Sequence, residues 1–338
     1  LYHMYNEIIS NVINSTNLDK SELVFSQGNE ILLPSAGEDT LDIGSASALT
    51  IPNIAIGRTI NILRPLSDNV YSQKYVSYYI NQKLRRTIST LAKGSSISNV
   101  YNSDLKKLNI FLPSLIEQEK IASFLNQVDT KIEQLTKKEK LLQQYKKGVM
   151  QKIFNQEIRF QADDGSEFCD WEEKRLKEVL DYEQPTKYIV ESTEYNGNYN
   201  TPVLTAGKTF ILGYTNEENG IYTNSPVIIF DDFTTANHYV DFDFKVKSSA
   251  MKLLKEKNEN ICLKFVYEFI QKLHFPIGEH KRYWISEYSY LKIKLPCLEE
   301  QNKIANFLSS IDTKIEQTQK QLEKTKEFKK ALLQQMFV

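Results

Sequence analysis

The sequence predicts two α/β (α+β) domains separated by two long antiparallel helices of coiled-coil type, related by a pseudo-twofold internal repeat. Three observations predict this architecture. A segment of about 47 residues occurs twice, each copy forms one helical pattern after a proline, and strand-like apolar runs precede each copy. A chain of 338 residues, 41% of them hydrophobic and 25% charged, is long enough for two domains that each bury a core.

The repeat determines how the chain divides. Residues 108–154 align without a gap with residues 291–337, at an offset of 183, and about half of the positions are identical. Similarity at a fixed period indicates a duplicated structural unit. The chain begins at Leu1 and not at methionine, so we also expect the first domain to be incomplete at its N-terminus. The predicted segments are a first domain over 1–112, a first helix over 113–158, a second domain over 159–295 and a second helix over 296–338.

The apolar residues of both copies favour long helices. In the first copy Ser114 and Glu117 have the spacing of a capping box, and neither glycine nor proline follows before Gly148. A seven-residue apolar spacing is typical of helices that pair with a partner helix. In the first copy it is carried by Ile121, Val128, Leu135, Leu142 and Val149.

Two interpretations of these helices remain open on sequence grounds. They are either surface helices on separate domains or an antiparallel pair. Thr318, Thr325 and Glu139 interrupt the apolar stripes. We prefer the pair, because one small domain cannot cover such long and narrow stripes, and because antiparallel pairing gives pseudo-twofold symmetry.

Both domain segments contain strand-like runs and one short helix with large side chains. The helices are predicted over Lys74–Leu84 and Ile261–Leu273, and we expect their aromatic residues to pack in the cores. Outside their final strand the two segments match poorly, so each domain is predicted to recognise something different. The predicted strands are Ile31–Leu33, Ile54–Ile56 and Ile60–Leu63 in the first segment, and Val227–Phe230 and Tyr290–Leu295 in the second. A final strand of the first segment is expected before Pro113, in the repeat equivalent of Tyr290–Leu295.

Composition excludes few classes of function. The net charge of −1 argues neither for nor against nucleic acid, so a DNA-binding face would need locally concentrated cations. No apolar run approaches the roughly 20 residues that span a bilayer, and no signal segment opens the chain. Three widely spaced cysteines indicate a reducing compartment. We therefore expect a cytoplasmic protein.

Catalytic and metal-binding patterns are not recognisable in the sequence. Thr205–Thr209 resembles the end of a phosphate-binding loop, but Pro202 occupies the place of the required first glycine. The cysteines and histidines have no metal-ligand spacing. We find neither the tetrapeptide of amino-group DNA methyltransferases nor a glycine-flanked nucleophilic serine. The prediction is therefore no catalytic residue, no metal and no cofactor in this chain.

Polar loops are the better candidates for a binding site. Loop 93–99 and loop 278–284 lie at equivalent positions before the two final strands, and loop 34–39 corresponds to loop 231–238. Small, amide and basic side chains on loops suit phosphate and base contacts, although ordinary solvated turns remain the alternative. The candidate DNA-binding residues are Lys93, Ser95, Ser96, Asn99, Lys208, Thr234, Thr235, Asn237, His280, Lys281, Arg282 and Tyr283.

The repeated motif resembles that of Type I restriction–modification specificity subunits. The resemblance rests on Leu112-Pro113, Glu117-Gln118, Ile121–Leu125 and Asp129–Ile132, and on their second copies, and it covers essentially the whole chain. It implies two target-recognition domains that each read one half of a bipartite site in double-stranded DNA. It also implies that the helices set the gap between the half-sites.

The same resemblance implies partners and their cofactors. Two methyltransferase subunits that bring S-adenosylmethionine would dock on the helices, and two restriction subunits that use ATP and Mg²⁺ would join them. We expect the docking residues to be Glu117, Gln118, Asp129, Lys131, Glu300, Gln301, Asp312 and Lys314. The alternatives are a protein-interaction scaffold that does not bind DNA, or an unrecognised nuclease or methylase.

Overall fold

A computed structural model describes residues 7–12, 14–67, 70–207, 209–278 and 281–337, and the chain forms two compact units. The first unit comprises the described residues up to Lys138 together with those from Thr318 onward, and the second comprises Glu139–Gln317. Within the described ranges, no helix combines the length and apolar character that crossing a membrane requires.

The first unit is built on a four-stranded sheet with the order β1-β5-β3-β7, in which β3 pairs antiparallel with both neighbours. All five residues of β3 are buried. The strands are β1 (Ile8–Ile9), β2 (Val24–Phe25), β3 (Glu30–Pro34), β4 (Ala36–Gly37), β5 (Ser47–Leu49), β6 (Ala55–Ile56), β7 (Ile60–Leu63) and β8 (Ser98–Asn99). The helices are α1 (Thr40–Ile43), α2 (Gln73–Tyr79), α3 (Arg85–Leu91) and α4 (Asn102–Leu105), and a π-helical turn at Ile80–Leu84 joins α2 to α3.

The second unit has a four-stranded sheet with the order β10-β16-β13-β14 and a smaller sheet with the order β12-β11-β15. A pair formed by β9 and β17 lies before the second long helix in sequence. Its strands are β9 (Glu172–Arg175), β10 (Leu180–Glu183), β11 (Thr201–Leu204), β12 (Ile211–Thr215), β13 (Val227–Asp231), β14 (Asn237–Val240), β15 (Lys245–Val246), β16 (Met251–Glu256) and β17 (Lys292–Leu295). Its shorter helices are α6 (Leu176–Val179), α7 (Leu263–Lys272) and α8 (Tyr283–Ser286).

Two long helices follow the two prolines, as predicted: α5 (Leu115–Phe154) and α9 (Leu298–Met336). The beginning of α5 contacts the end of α9 in the first unit, where the rings of Phe124 and Phe328 are 6.5 Å apart. The end of α5 contacts the beginning of α9 in the second unit, where Lys146 binds Asp312. The antiparallel arrangement is thereby confirmed. Knobs-into-holes coiled-coil packing and the four-segment division of the chain stay predictions.

A buried glutamine connects the start of each long helix to its own unit. Gln118 donates to the carbonyl of Pro113 at 2.8 Å and accepts from the amide of Ser72, the N-cap of α2, at 2.9 Å. Gln301 donates to Pro296 at 2.8 Å and accepts from the amide of Cys262, the N-cap of α7, at 2.8 Å. Both glutamines are 1% exposed. An amide that donates at one end and accepts at the other satisfies polar groups that burial would otherwise penalise.

An aspartate–lysine pair repeats in the same way. In the first unit Asp129 binds Lys329 at 2.7 Å and accepts from the hydroxyl of Tyr78 at 2.5 Å. In the second unit its repeat equivalent Asp312 binds Lys146 at 2.7 Å, and Lys146 also binds the buried Glu268 at 2.8 Å. Lys146 and Lys329 are themselves equivalent, since 183 residues separate them. In each unit a lysine–aspartate pair therefore joins the two helix segments, and the domain helix contacts the aspartate in the first unit and the lysine in the second.

The first of these pairs has a clear electrostatic environment. Burial lowers the pKa of Lys329, but the neighbouring charges of Glu7 and Asp129 outweigh this and raise it above its ordinary value. Burial, together with the hydrogen bond to Asp129, raises the pKa of Tyr78 well above its usual range. Lys329 is therefore charged and Tyr78 neutral across the physiological pH range.

One strand predicted from the sequence is absent. Residues 108–112 do not form a strand, whereas their repeat equivalents include β17, which pairs with β9. Among the described residues of the first unit, no segment pairs with residues 108–112, and Phe111 is 81% exposed. The sequence pattern of a strand is thus present without a partner strand.

We expect Gln301→Ala to lower the free energy of unfolding by about 2–4 kcal/mol, because it leaves buried carbonyl and amide groups without partners. Both tryptophans, Trp171 and Trp284, lie in the second unit, so tryptophan fluorescence during urea unfolding measures the change there. Gln317→Ala, at an exposed position of the same helix, is the matched control. Equal midpoints for the two variants would contradict the structural role of Gln301.

Candidate nucleic-acid interface

In the first unit the two candidate loops are joined by a pair of strands. β4, within loop 34–39, pairs antiparallel with β8, at the end of loop 93–99, with Ala36 opposite Asn99 and Gly37 opposite Ser98. The backbones of Lys93 and Asn99 exchange two hydrogen bonds of 2.8 and 2.9 Å and close the second loop. The sequence identified these loops as separate candidates, and the structure places them side by side.

Gly94 is required by the shape of that closed loop. Its φ of +139° lies in a region that side-chain-bearing residues rarely adopt. A Cβ at this position would lie 2.1 Å from the carbonyl oxygen of Ile97. Ser95 and Ser96, at the tip, are exposed. Lys93 is 69% exposed at its side chain and forms a salt bridge of 3.3 Å with Asp104.

In the second unit the two candidate loops are joined by Asp232 instead of by strands. Its carbonyl accepts from the amide of Tyr283 at 2.7 Å, and its carboxylate accepts from the amide of Trp284 at 2.8 Å. Loop 231–238 and the segment around 283 are therefore neighbours, as their counterparts are in the first unit. A Cβ at Gly278 would meet no atom within 4 Å, so packing does not require a glycine at this position.

A buried lysine neutralises Asp232. The side-chain nitrogen of Lys252 lies 3.4 Å from the Asp232 carboxylate, and both residues are at most 1% exposed. The same ammonium lies 5.2 Å from the ring centroid of Tyr182. Because burying an isolated charge is costly, each ion of this pair makes the burial of the other tolerable.

Asp231 shapes the other end of loop 231–238. Its carboxylate accepts from the amides of Phe233 and Thr234 at 2.9 and 2.7 Å, and its carbonyl accepts from the amide of Thr235. Thr235 has a φ of +57°, which is rare for a β-branched residue. Thr234 is exposed, and Thr235 and Asn237 are half-buried. Both carboxylates of the Asp231-Asp232 pair thus have structural contacts.

The structure places the predicted DNA-binding residues in different environments. Lys208 and His280 lie outside the described residues. Tyr283 is 1% exposed and its hydroxyl accepts from the amide of Gly278, so its expected surface role is wrong. Lys281 is exposed but binds Glu287, while Arg282 is exposed beside it. DNA contact by the remaining candidates stays a prediction.

The predicted docking residues also need correction. Gln118 and Gln301 are buried and hold the N-caps of α2 and α7, so direct contact with a partner is wrong for both. Glu300 is fully buried, where it accepts from Arg159 and from the indole of Trp171 at 2.9 and 3.0 Å. Asp129 and Asp312 form the ion pairs described above. Glu117, Lys131 and Lys314 are exposed and remain docking candidates.

Sequence reasoning missed several residues of this region. Asp232 lies in candidate loop 231–238 but was not among its predicted binding residues, and Lys252 carried no signal beyond its charge. Gln271 and His274 lie at the end of a helix of which only the aromatic residues were considered. Gln271 hydrogen-bonds to Asn237 at 2.6 Å, which brings the end of α7 to loop 231–238. Only a three-dimensional arrangement can show this contact, since 34 residues separate the two side chains.

Two units with different loops, each built on a segment of two duplicated long helices, define a class of internally repeated two-domain proteins. The family model described as type I restriction modification DNA specificity domain matches residues 3–144 and 169–326. The match covers most of the chain, and the chain therefore belongs to this family. The family predicted from the repeated motif is confirmed, as is the two-domain α/β fold class.

Known relatives agree with this assignment. The chain is 55% identical over 141 residues to the Escherichia coli type I restriction enzyme EcoR124I/EcoR124II specificity subunit. This alignment covers 40% of this chain and 35% of that protein. It is 28% identical over 303 residues to a putative type I restriction enzyme specificity subunit, MjaX, of Methanocaldococcus jannaschii, covering 82% of this chain and 70% of that protein.

A solved structure has the same fold. The chain resembles the crystal structure of a type I restriction–modification S subunit from M. genitalium, with a TM-score of 0.72 at 21% sequence identity. The likeness covers 98% of this chain and 88% of that one. At this identity it supports the fold alone.

We expect Asp232→Ala to lower the free energy of unfolding by about 3–5 kcal/mol, because it leaves the Lys252 charge buried and unpaired. Replacing both partners, as Asp232→Leu with Lys252→Met, should recover part of this loss. Urea unfolding followed by tryptophan fluorescence measures both variants, with Asp243→Ala at an exposed position as control. A double variant that is less stable than Asp232→Ala would contradict the ion-pair explanation.

Proposed function

We propose that this chain is the sequence-reading subunit of a Type I restriction–modification complex, in which each unit reads one half of a bipartite DNA site. The observation that carries the proposal is the family match over both halves of the chain. The paired polar loops support it, because each unit holds two loops side by side. The first unit does so through β4–β8 pairing and the second through the hydrogen bonds of Asp232. Two dissimilar loop pairs on a repeated framework suit the recognition of two different half-sites.

We propose that the chain itself does not catalyse a reaction. Methyl transfer would belong to two methyltransferase subunits that bring S-adenosylmethionine, and DNA cleavage to up to two restriction subunits that use ATP and Mg²⁺. Glu117, Lys131 and Lys314, all exposed on the long helices, are the predicted docking residues that burial does not exclude. Such a complex would act on DNA in the cytoplasm. The family match disfavours the alternative of a scaffold that does not bind DNA.

Phosphate contact and base contact would fall to different residues of the second unit. Arg282 is exposed beside α8 and is suited to a phosphate, whereas Thr234 and Thr235 offer hydroxyls that can contact base edges. Lys281 is less suited to phosphate, because Glu287 already neutralises it.

Methylome sequencing tests the proposal. The chain is co-expressed with its methyltransferase partner in a host without DNA methylation, and the methyltransferase alone is the control. We expect adenine methylation in one split motif with two unlike halves, present only when both proteins are expressed. An intact, purified complex that leaves the genome unmethylated would refute the proposal.

The helices are predicted to set the gap between the half-sites. On α5, Lys146 follows Asp129 by 17 residues, and on α9, Lys329 follows Asp312 by the same number. Insertions of equal length between these residues in both helices keep the two spacings equal, so both ion pairs can still form. One heptad inserted after Leu135 and another after Thr318 should lengthen the gap by up to about three base pairs, at 1.5 Å per helical residue and 3.4 Å per base pair. The methylated motif measures the gap.

A heptad inserted after Leu135 alone is the matched comparison. This single insertion makes the Asp129–Lys146 spacing on α5 seven residues longer than the Asp312–Lys329 spacing on α9. Both ion pairs then cannot form with regular helices, so we expect the thermal stability of the complex to fall. Unchanged spacing in the double insertion, or altered half-site sequences, would contradict the spacer role.

A further inference from the structure

An open depression of about 510 Å³ lies in the second unit between loop 231–238 and the end of α7. Four of its lining residues carry neutral or weakly basic hydrogen-bonding side chains: Thr235, Asn237, Gln271 and His274. Gln271 and His274 are exposed. A polar depression beside a fixed loop is a surface on which the edge of a base can be recognised.

Three hydrogen bonds set the geometry of this cluster. The amide of Thr235 donates to the carbonyl of Asp231 at 2.9 Å and holds Thr235 at its positive φ. The side-chain nitrogen of Asn237 donates to the carbonyl of Thr235 at 3.0 Å. The side-chain nitrogen of Gln271 then donates to the side-chain oxygen of Asn237 at 2.6 Å. The backbone strain at Thr235 thus coincides with a contact network, as is common at functional sites.

This network determines which way each side-chain amide faces. The side-chain nitrogen of Asn237 donates to the carbonyl of Thr235, so the side-chain oxygen of Asn237 faces Gln271. Gln271 must therefore donate to that oxygen through its side-chain nitrogen. A glutamine amide has two N–H donors and one acceptor oxygen. The contact with Asn237 uses one donor, and Gln271 retains one N–H donor and its carbonyl oxygen as an acceptor.

We propose that Gln271, oriented by Asn237, is a specificity-determining residue that reads an adenine in the major groove of the second half-site. An adjacent donor and acceptor match the N7 and N6 groups of adenine, whereas guanine presents two acceptors at this edge. The inference rests on the proposed DNA-reading function and names one base contact within it. Asn237 acts as a positioning residue, since its contacts with Thr235 and Gln271 fix the amide.

Methylome sequencing of Gln271 variants tests the inference. In Gln271→Ala one A·T pair of one half-site should become degenerate, with a loss of preference on the order of ten- to a hundred-fold. The other half-site and the gap should stay as in the wild type. Gln271→Glu keeps the size of the side chain but replaces its donor by an acceptor, so it should shift the preference at the same position towards a C·G pair.

Two further variants separate base contact from general effects. Gln184→Ala removes an exposed glutamine elsewhere in the same unit and should leave the motif unchanged. Asn237→Ala frees the Gln271 amide and should relax the same position as Gln271→Ala and no other. A purely structural role of Gln271 would lower the amount of methylation at every site equally and would not change the motif.

The outcomes distinguish the inference from the function on which it rests. Wild-type methylation together with an unchanged motif in both Gln271→Ala and Gln271→Glu would overturn the base contact and leave the proposed function intact. Absence of methylation in the wild-type complex would refute the proposed function, and the base contact with it. Degeneracy at one position of a single half-site supports the inference.

Discussion

The buried amide at the start of each long helix is the interaction on which the rest of the structure depends. Gln118 and Gln301 each satisfy a proline carbonyl on one side and the N-cap amide of a domain helix on the other. The N-cap amides of α2 and α7 are among the N–H groups that a helix leaves without an intrahelical partner, and they need a partner when they are buried. One glutamine therefore fixes both where the long helix begins and how the domain helix meets it.

The lysine–aspartate pairs extend this constraint along the helices. Each lysine comes from one helix and each aspartate from the other, and the repeat places both pairs at equivalent positions. The domain helix contributes a different group in each unit, the Tyr78 hydroxyl in one and the Glu268 carboxylate in the other. The Tyr78 hydroxyl donates to Asp129, whereas the Glu268 carboxylate binds Lys146, so the domain helix contacts the aspartate of the pair in one unit and the lysine in the other.

The sequence could predict what depends on periodicity and on the repeat. The long helices and the strands at Ile31–Leu33 and Ile60–Leu63 follow from local pattern, and the equivalence of the loops before the final strands follows from the repeat. The absence of a strand at 108–112 could not be predicted from local pattern, because a strand also needs a partner strand. The equivalent segment of the second unit has that partner in β9. Tyr283 and Glu300 were misjudged because burial depends on contacts with residues distant in the chain, such as Arg159 for Glu300.

The contacts that repeat and those that do not explain how two duplicated long helices can carry two different loop pairs. The groups that hold the helices repeat, but the groups that join the loops do not: the first unit uses β4–β8 pairing and Gly94, and the second uses the buried Asp232–Lys252 pair. The residues that join the loops are different from the glutamines and lysines that hold the helices. Divergence of the loops is therefore compatible with a duplicated scaffold, and in the second unit Gln271 connects α7 to the diverged loop 231–238 through Asn237.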